Sequence, residues 1–466
     1  MEAAKVKPAG FETRQRRGRS GANRMKSRRL LLLYPGVLFA PSWGNATEEN
    51  THLVYCHAFL RRFFEEVTVL DLEAEYGRPG TEEERKVFLD RALERIFSAK
   101  PDLVAVSCWS SLNYLSARRL AEGIRRERPR TKILVGGYHP TFRKEDFRYP
   151  GSPFDFVAAG EIDRAAPFLG IDLPAKAATG PWAAKPDFAS YPYARRGGPV
   201  GVFLSTGCPY RCAYCMEYRR RWAAVPVPEA LSMLAEIEEG LSPRAIMILD
   251  ACFGRDPGWR KDFLKGLAEQ GHRCGFWIQT RSDLLDDDDL EQLARVAVRI
   301  DLGVESFSPT MLRIMRKTAA PDRYLERFVS LSRKCSALGI EHDAYLIFNH
   351  PGESEKTVRE HERFMERRVL PELAGGTLTI RSGTFSLFPG SAVYDNLALL
   401  AERFGTTAEH PQWWKEEGDH LALSRSVIPS RDNRGRPFVL SPRRIAGPIA
   451  ELNRSFRGAG KSSSRL

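Results

Sequence analysis

Three cysteines stand close enough together to act as one ligand set. Cys208, Cys212 and Cys215 follow the spacing C-x3-C-x2-C within Gly207-Cys208-Pro209-Tyr210-Arg211-Cys212-Ala213-Tyr214-Cys215. Thiolates favour soft metal centres, zinc and iron–sulfur clusters above all. Three of them on one tight loop can hold three irons of a [4Fe–4S] cube and leave the fourth iron open. A structural zinc ion usually takes four ligands, often from two separated pairs. No second pair follows, since Cys252 and Cys274 each stand alone. The spacing therefore favours a cluster over zinc. The other five cysteines, Cys56, Cys108, Cys252, Cys274 and Cys335, are scattered and lie mostly in apolar contexts. They read as small buried hydrophobes, because a disulfide framework is a poor fit to a cytosolic chain of this size.

A cluster loop needs a rigid frame. This one follows at once on Gly201–Thr206, the first of six strand-like runs at 201–206, 245–250, 275–280, 298–303, 340–347 and 376–380. Helical patterns alternate with them at 228–239, 258–270, 285–297, 308–316 and 322–338. Six such repeats predict a parallel partial or full barrel with its chemistry at the carboxyl ends of the strands. Upstream, five apolar runs at 30–34, 67–71, 103–107, 132–136 and 156–160 alternate with helices at 49–65, 82–98 and 113–128. Runs that are apolar on both faces are buried parallel strands, so this half predicts a Rossmann-like doubly wound α/β sheet. Its strand-end loops, Tyr34-Pro35-Gly36, Ser107-Cys108-Trp109-Ser110-Ser111, Gly136-Gly137 and Gly160-Glu161, are small, polar and glycine-rich, as a wrapping around a ligand requires. The expected plan is a basic tail over 1–29, an α/β domain over 30–165 and a proline-punctuated linker over 166–198. The barrel then runs over 199–400, and a small C-terminal region over 401–466 ends in a second basic tail.

The chain has 466 residues, 42% hydrophobic and 28% charged, which excludes a disordered protein. Apolar runs such as Leu30–Tyr34 are too short to span a bilayer, and no secretory signal pattern follows the basic N-terminus. A soluble, cytoplasmic protein without a membrane partner is expected. The net charge of +12 resides in the two tails: residues 1–29 carry +8 and residues 454–466 carry +4, while 57 basic and 57 acidic residues balance between them. Solvated tails, rather than a nucleic-acid surface, are the expectation. Met25 stands five residues before the first strand as a second candidate start, and residues 1–24 are expected to be dispensable for chemistry.

C-x3-C-x2-C with Tyr214 before the last cysteine, directly after the first barrel strand, resembles the radical S-adenosylmethionine superfamily. Four later segments fit the same family in order: Asp250-Ala251-Cys252-Phe253-Gly254-Arg255-Asp256, Gly303-Val304-Glu305-Ser306, Pro351-Gly352-Glu353 and Pro389-Gly390-Ser391-Ala392-Val393-Tyr394. The first departs from the pattern at Ala251, where a second acid is often found. Upstream, Gly136-Gly137-Tyr138-His139-Pro140 and Gly160-Glu161 resemble the cobalamin-binding domain fused to many of these enzymes, although its D-x-H-x-x-G motif is absent from residues 30–60.

The resemblance implies three cofactors: a [4Fe–4S] cluster on Cys208, Cys212 and Cys215, S-adenosylmethionine, and cobalamin with no protein histidine on cobalt. His52 and His57 are the nearest imidazoles, on a predicted helix. It further implies contacts to S-adenosylmethionine from Tyr214, Asp250, Arg281 and Glu305, with Arg281 suited to the methionine carboxylate. Ser107, Ser110, Gly136, Gly137, Gly160 and Glu161 are the implied cobalamin contacts. The implied partners are an external electron donor such as flavodoxin or ferredoxin and a small-molecule or natural-product substrate. The leading expectation is methyl transfer to an unactivated carbon or to phosphorus. A cobalamin-linked rearrangement, cyclisation or oxidation is the alternative within enzymes of this kind, and RNA or protein modification is another. A bare iron–sulfur sensor would have no use for the adenosine-side motifs. Residues 396–453, with Trp413 and Trp414, could serve the substrate or the core.

Overall fold

The computed structural model describes residues 29–39, 50–173, 185–296 and 298–457. The expectations for residues 1–28, Met25 among them, and for residues 458–466 lie outside this range.

The first unit is a five-stranded, wholly parallel sheet: β1 (Arg29–Tyr34), β2 (Glu66–Asp71), β3 (Leu103–Ser107), β4 (Lys132–Gly136) and β5 (Phe156–Ala158), in the order β2-β1-β3-β4-β5. The order reverses at β1, as in a doubly wound fold. Leu30 to Leu33 are at most 3% exposed, which explains why β1 is apolar on both faces. Helices α1 (Thr51–Leu60), α2 (Glu82–Ser98) and α3 (Tyr114–Glu127) cover the sheet. A reciprocal cap between Thr81 and Glu84 fixes the start of α2. Strand β5 stops short of the expected Gly160 because that glycine, at φ +115°, turns the chain.

The second unit is an open six-stranded parallel sheet of β6 (Pro199–Val202), β7 (Ala245–Ile248), β8 (Gly275–Thr280), β9 (Val298–Glu305), β10 (Glu341–Phe348) and β11 (Leu378–Thr384), paired in chain order. Strands β6 and β11 are its edges, so the barrel is partial. Its helices are α4 (Val227–Leu241), α5 (Pro257–Gln270), α6 (Asp287–Leu293), α7 (Pro309–Ile314), α8 (Pro321–Ala337) and α9 (Glu355–Phe364). Helix α9 is not among the expected helices, because it is charged around most of its circumference and buries only Thr357, Val358 and His361. Strand β6 ends before the expected residue 206, because Ser205 and Thr206 leave the sheet to pair antiparallel with Ala223 and Ala224.

Beyond β11 come α10 (Leu397–Phe404) and α11 (Pro442–Arg457). The second basic tail was expected to begin at 454, yet the helix runs on to Arg457. Gly447 and Pro448 inside it hide the pattern. The side chain of Asn453 anchors it by giving one hydrogen bond to the Ile380 carbonyl and taking one from the Ile380 amide, both 2.9 Å, on the open edge of the barrel.

The two units share one apolar core that runs from Leu30 and Leu53 through Phe188 and Tyr191, within the expected linker, to Val200 and Ile246. The Tyr55 hydroxyl also bridges the units, taking a hydrogen bond from Phe203 N at 3.0 Å and giving one to its carbonyl at 3.2 Å. Trp413 and Trp414 are fully buried core residues. Trp413 Nε1 donates to Leu387 O and Trp414 Nε1 to Asp146 Oδ2, which fastens the C-terminal region to both units.

Candidate functional site

The cysteine loop leaves β6 under tight control. Asp250, just past β7, accepts from the backbone amides of Leu204 (2.7 Å) and Ser205 (2.8 Å) with Oδ1, and from Ser205 Oγ (2.5 Å) with Oδ2. Burial lifts this carboxyl to about 6, against the bonds from Ser205 and Leu204. Gly207 then turns at φ +68°, where a Cβ would lie 2.4 Å from the Arg220 carbonyl. Further along, Ala213 N donates to Met315 O (2.8 Å) and Val393 N to Ala213 O (2.9 Å), so the end of α7 and the helical turn at 392–395 clamp the loop from both sides.

The loop walls a cavity of about 320 Å³. Cys208, Cys212, Cys215, Tyr214, Arg281 and Glu305 all line it. Asp250 does not line it, its carboxylate being taken up by the loop backbone. Arg281 chelates Asp283 through Nε and Nη2 (2.8 and 2.9 Å), donates through Nη1 to Lys317 O (3.0 Å) and lies 3.9 Å over the Tyr210 ring. Lys317 and Cys252 also line this cavity, roles that their sequence contexts do not signal. Lys317 Nζ meets Glu305 Oε1 at 3.0 Å and Tyr214 Oη at 3.5 Å. Burial opposes its charge, yet the Tyr324 and Glu305 oxygens hold the ammonium above the usual lysine range. Glu305 has a left-handed backbone at φ +72°. A Cβ on Gly303 would sit 2.7 Å from Glu305 Oε1 and 3.1 Å from Lys317 Nζ, so that glycine makes room for the pair. No local signal marks Lys317, because a lysine three residues past a helix reads as surface.

The donor set suits a cluster. The neighbouring Cys252 draws the Cys208 thiol below its ordinary value, while the Cys252 thiol is itself pushed up. Burial pushes Cys215 up to about 12, so iron binding there must displace a proton. Among the described residues no three His, Cys, Asp or Glu side chains gather around a point as a single metal ion needs. A cube, whose corners hold their thiolates apart, has no need of such a knot.

A second cavity, of about 1070 Å³, lies between the two units. Gly137, Gly160 and Glu161 line it from the first unit; Thr206, Gly207 and Trp222 line it from the second. A Cβ on Gly137 would lie 2.3 Å from the Cys108 carbonyl, so only glycine lets these two strand-end loops touch. Ser107, Ser110 and Gly136 sit behind the wall. Ser107 Oγ pairs with His52 Nε2 at 2.9 Å, Ser110 caps the turn at 111–113 beside a smaller pocket of about 250 Å³, and Gly136 ends β4. His52 lines the cavity, stacked on Trp109 with centroids 4.2 Å apart, and burial lowers it to about 3. Arg220 ties the walls together. It donates to Glu161 Oε1 (3.0 Å) and Tyr138 Oη (2.8 Å) of the first unit and meets Glu217 Oε2 (3.5 Å) beside the cysteine loop. Ala251 lines both cavities.

Comparison with known proteins accords with this geometry. Residues 202–365 match the radical SAM superfamily model and residues 47–169 the B12-binding domain model. The ribosomal protein uS12 methylthiotransferase RimO of Streptomyces coelicolor is 28% identical over 293 residues, 58% of this chain and 56% of the relative. The Salinispora tropica protein of that name is 27% identical over 227 residues, 44% of each. The chain thus spans about half the length of the curated relatives it matches. Among solved structures, the radical S-adenosylmethionine methyltransferase TsrM of Kitasatospora setae, with tryptophan and a S-adenosylmethionine analogue bound, superposes with a TM-score of 0.61 at 19% identity. That superposition covers 91% of this chain and 88% of TsrM. The cobalamin-dependent enzyme OxsB, with aqua-cobalamin bound, gives 0.53 at 19% identity, over 81% of this chain and 56% of OxsB. The matched models imply a [4Fe–4S] cluster, S-adenosylmethionine and cobalamin as cofactors. Among the described residues no helix is long and apolar enough to cross a membrane. By the matched models, the chain carries a radical SAM domain preceded by a B12-binding domain.

Proposed function

We propose that this protein is a cobalamin-dependent radical S-adenosylmethionine methyltransferase acting on an unactivated carbon of a small molecule. The observation that carries the reading is the meeting of the two cavities at Ala251. A site for making a radical and a site for a corrin then adjoin at one residue, as methyl transfer between them requires. Cys208, Cys212 and Cys215 would hold the cluster. Tyr214, Arg281 and Glu305 would contact S-adenosylmethionine, with Lys317 fixing Glu305 and Asp250 holding the loop. Gly137, Gly160 and Glu161 would face cobalamin, backed by Ser107, Ser110 and Gly136. Together the bound groups supply a carbon-centred oxidant and a transferable methyl group. The chain's own part is to orient them and exclude water, which the buried ion pairs and the aromatic wall of Trp109, Tyr138 and Trp222 do.

The likeness to TsrM supports a small substrate, and tryptophan is the first probe. The likeness to RimO favours a second reading, modification of a ribosomal protein. Both are tested by anaerobic incubation of the cofactor-loaded protein with CD3-labelled S-adenosylmethionine, a reductant, and either tryptophan with a metabolite extract or ribosomal protein uS12. Label in a small molecule supports the proposal, whereas label only in uS12 moves the second reading to the front. Turnover of S-adenosylmethionine with no labelled product in either arm defeats both.

A further inference from the structure

The outer side of the cysteine loop carries charge that its own elements do not answer. Arg211 lies between Cys208 and Cys212 and is exposed. The bond from Ala213 N to Met315 O sets the loop beside Arg316, also exposed. Arg313, exposed on α7, has Asp322 at 3.9 Å, with both side chains largely in solvent. On the other flank, Leu397 and Leu400 of α10 pack against the apolar cluster around Ala213. That leaves Leu399 pointing outward, 55% exposed, with Arg403 near it. Ile314 of α7 and Phe404 of α10 both lie against Gly352, so the two helices form one continuous face. Arg211, Arg316 and Arg403 have no ion-pair partner among the described residues. The acids on these elements and on the adjoining α8 are Glu402, Asp322 and Glu326, and the last is taken by Arg368, which leaves two. Four arginines against two carboxylates, around an exposed leucine, stand out on a chain whose middle is neutral overall.

We propose that this face docks an acidic, low-potential electron-carrier protein and is the route by which the cluster is reduced. The inference rests on the reading of Cys208, Cys212 and Cys215 as cluster ligands. Charge complementarity of this kind steers encounter and sets on-rate more than affinity, and a small apolar centre with a charged rim suits a transient redox complex. One electron leaves the reduced carrier and one is gained by the cluster, with no group transferred.

The test uses the full-length, cluster-loaded protein and follows bleaching of the cluster absorbance by stopped flow. Three reductants are compared: reduced flavodoxin, reduced ferredoxin and the methyl viologen radical, a small cation that needs no docking face. In the double variant Arg211→Glu/Arg316→Glu the rates with both carriers should fall by roughly 10-fold or more. Their dependence on salt should flatten, while iron content and the viologen rate stay as in the parent. Arg316→Glu/Arg403→Glu, which leaves the cysteine loop untouched, should show the same pattern with a smaller loss. Carrier rates that resist charge reversal would overturn the docking face, as would an equal loss with viologen. A wild-type protein that takes up no cluster would overturn the ligand assignment itself.

Discussion

The small cavity at the cysteine loop and the large one between the two units are built on opposite principles. The small one is walled by the carboxyl ends of one sheet and is set with ion pairs formed before anything binds: Lys317 with Glu305, and Arg281 with Asp283. The large one is walled by two units that meet, and its main charged tie, Arg220 with Glu161 and Glu217, crosses between them. The first can be damaged by touching one unit, the second by touching either. Changes at one should therefore leave the other's ligand in place.

The sharpest break is replacement of Cys208, Cys212 and Cys215 together by alanine. All iron and the brown chromophore should be lost, while cobalamin retained through a desalting column should match the parent. Loss of both would show that the cavities fold as one. Next in size is Lys317→Met, which strands the Glu305 carboxylate in the interior. A loss of about 3–5 kcal/mol in urea unfolding is expected, again with cobalamin binding spared. Arg220→Met addresses the other side. Its side chain is 21% exposed, so solvent softens the effect to about 2 kcal/mol. Here the affinity for cobalamin should weaken while iron content stays constant, the inverse of the cysteine result.

The smallest effect is a pH dependence of stability. His342, His350 and His361 of the barrel are each lowered by burial from 6.5 to about 4. In the window between those values the unfolded chain binds more protons than the folded one, so stability is full above pH 6.5 and falls as pH drops toward 4. His361→Phe should recover about 1 kcal/mol at pH 5.5, measured as a shift in the urea midpoint relative to pH 7.5. A shift equal at both pH values would mean that packing alone, and not proton uptake, sets the effect.

What could be read from the sequence follows the same division. The strand runs, Cys208, Cys212 and Cys215, and the Gly303–Glu305 turn lie in contiguous segments whose residue types state their own geometry. Lys317, Cys252 and Arg220 gave no such sign, because each acquires its role only when folding brings a distant segment against it. Asp250 was visible as an acid at a strand end. That its partners would be the backbone amides of Leu204 and Ser205 depends on the neighbouring strand, which no local pattern describes. Trp413 and Trp414 were noticed for their size, and their burial against Asp146 and Leu387 belongs to a long-range clamp invisible in a short window.

Ala251 has a consequence for the order in which the chambers fill. It borders both cavities with a side chain of a single methyl group, standing where the resemblance favours a larger, acidic one. The protein therefore supplies no door between the two compartments. Whatever occupies one becomes the partition for the other, and its outline sets how much room the second occupant has. Selectivity at that threshold is a property of the loaded assembly, and the empty chain carries only the doorframe.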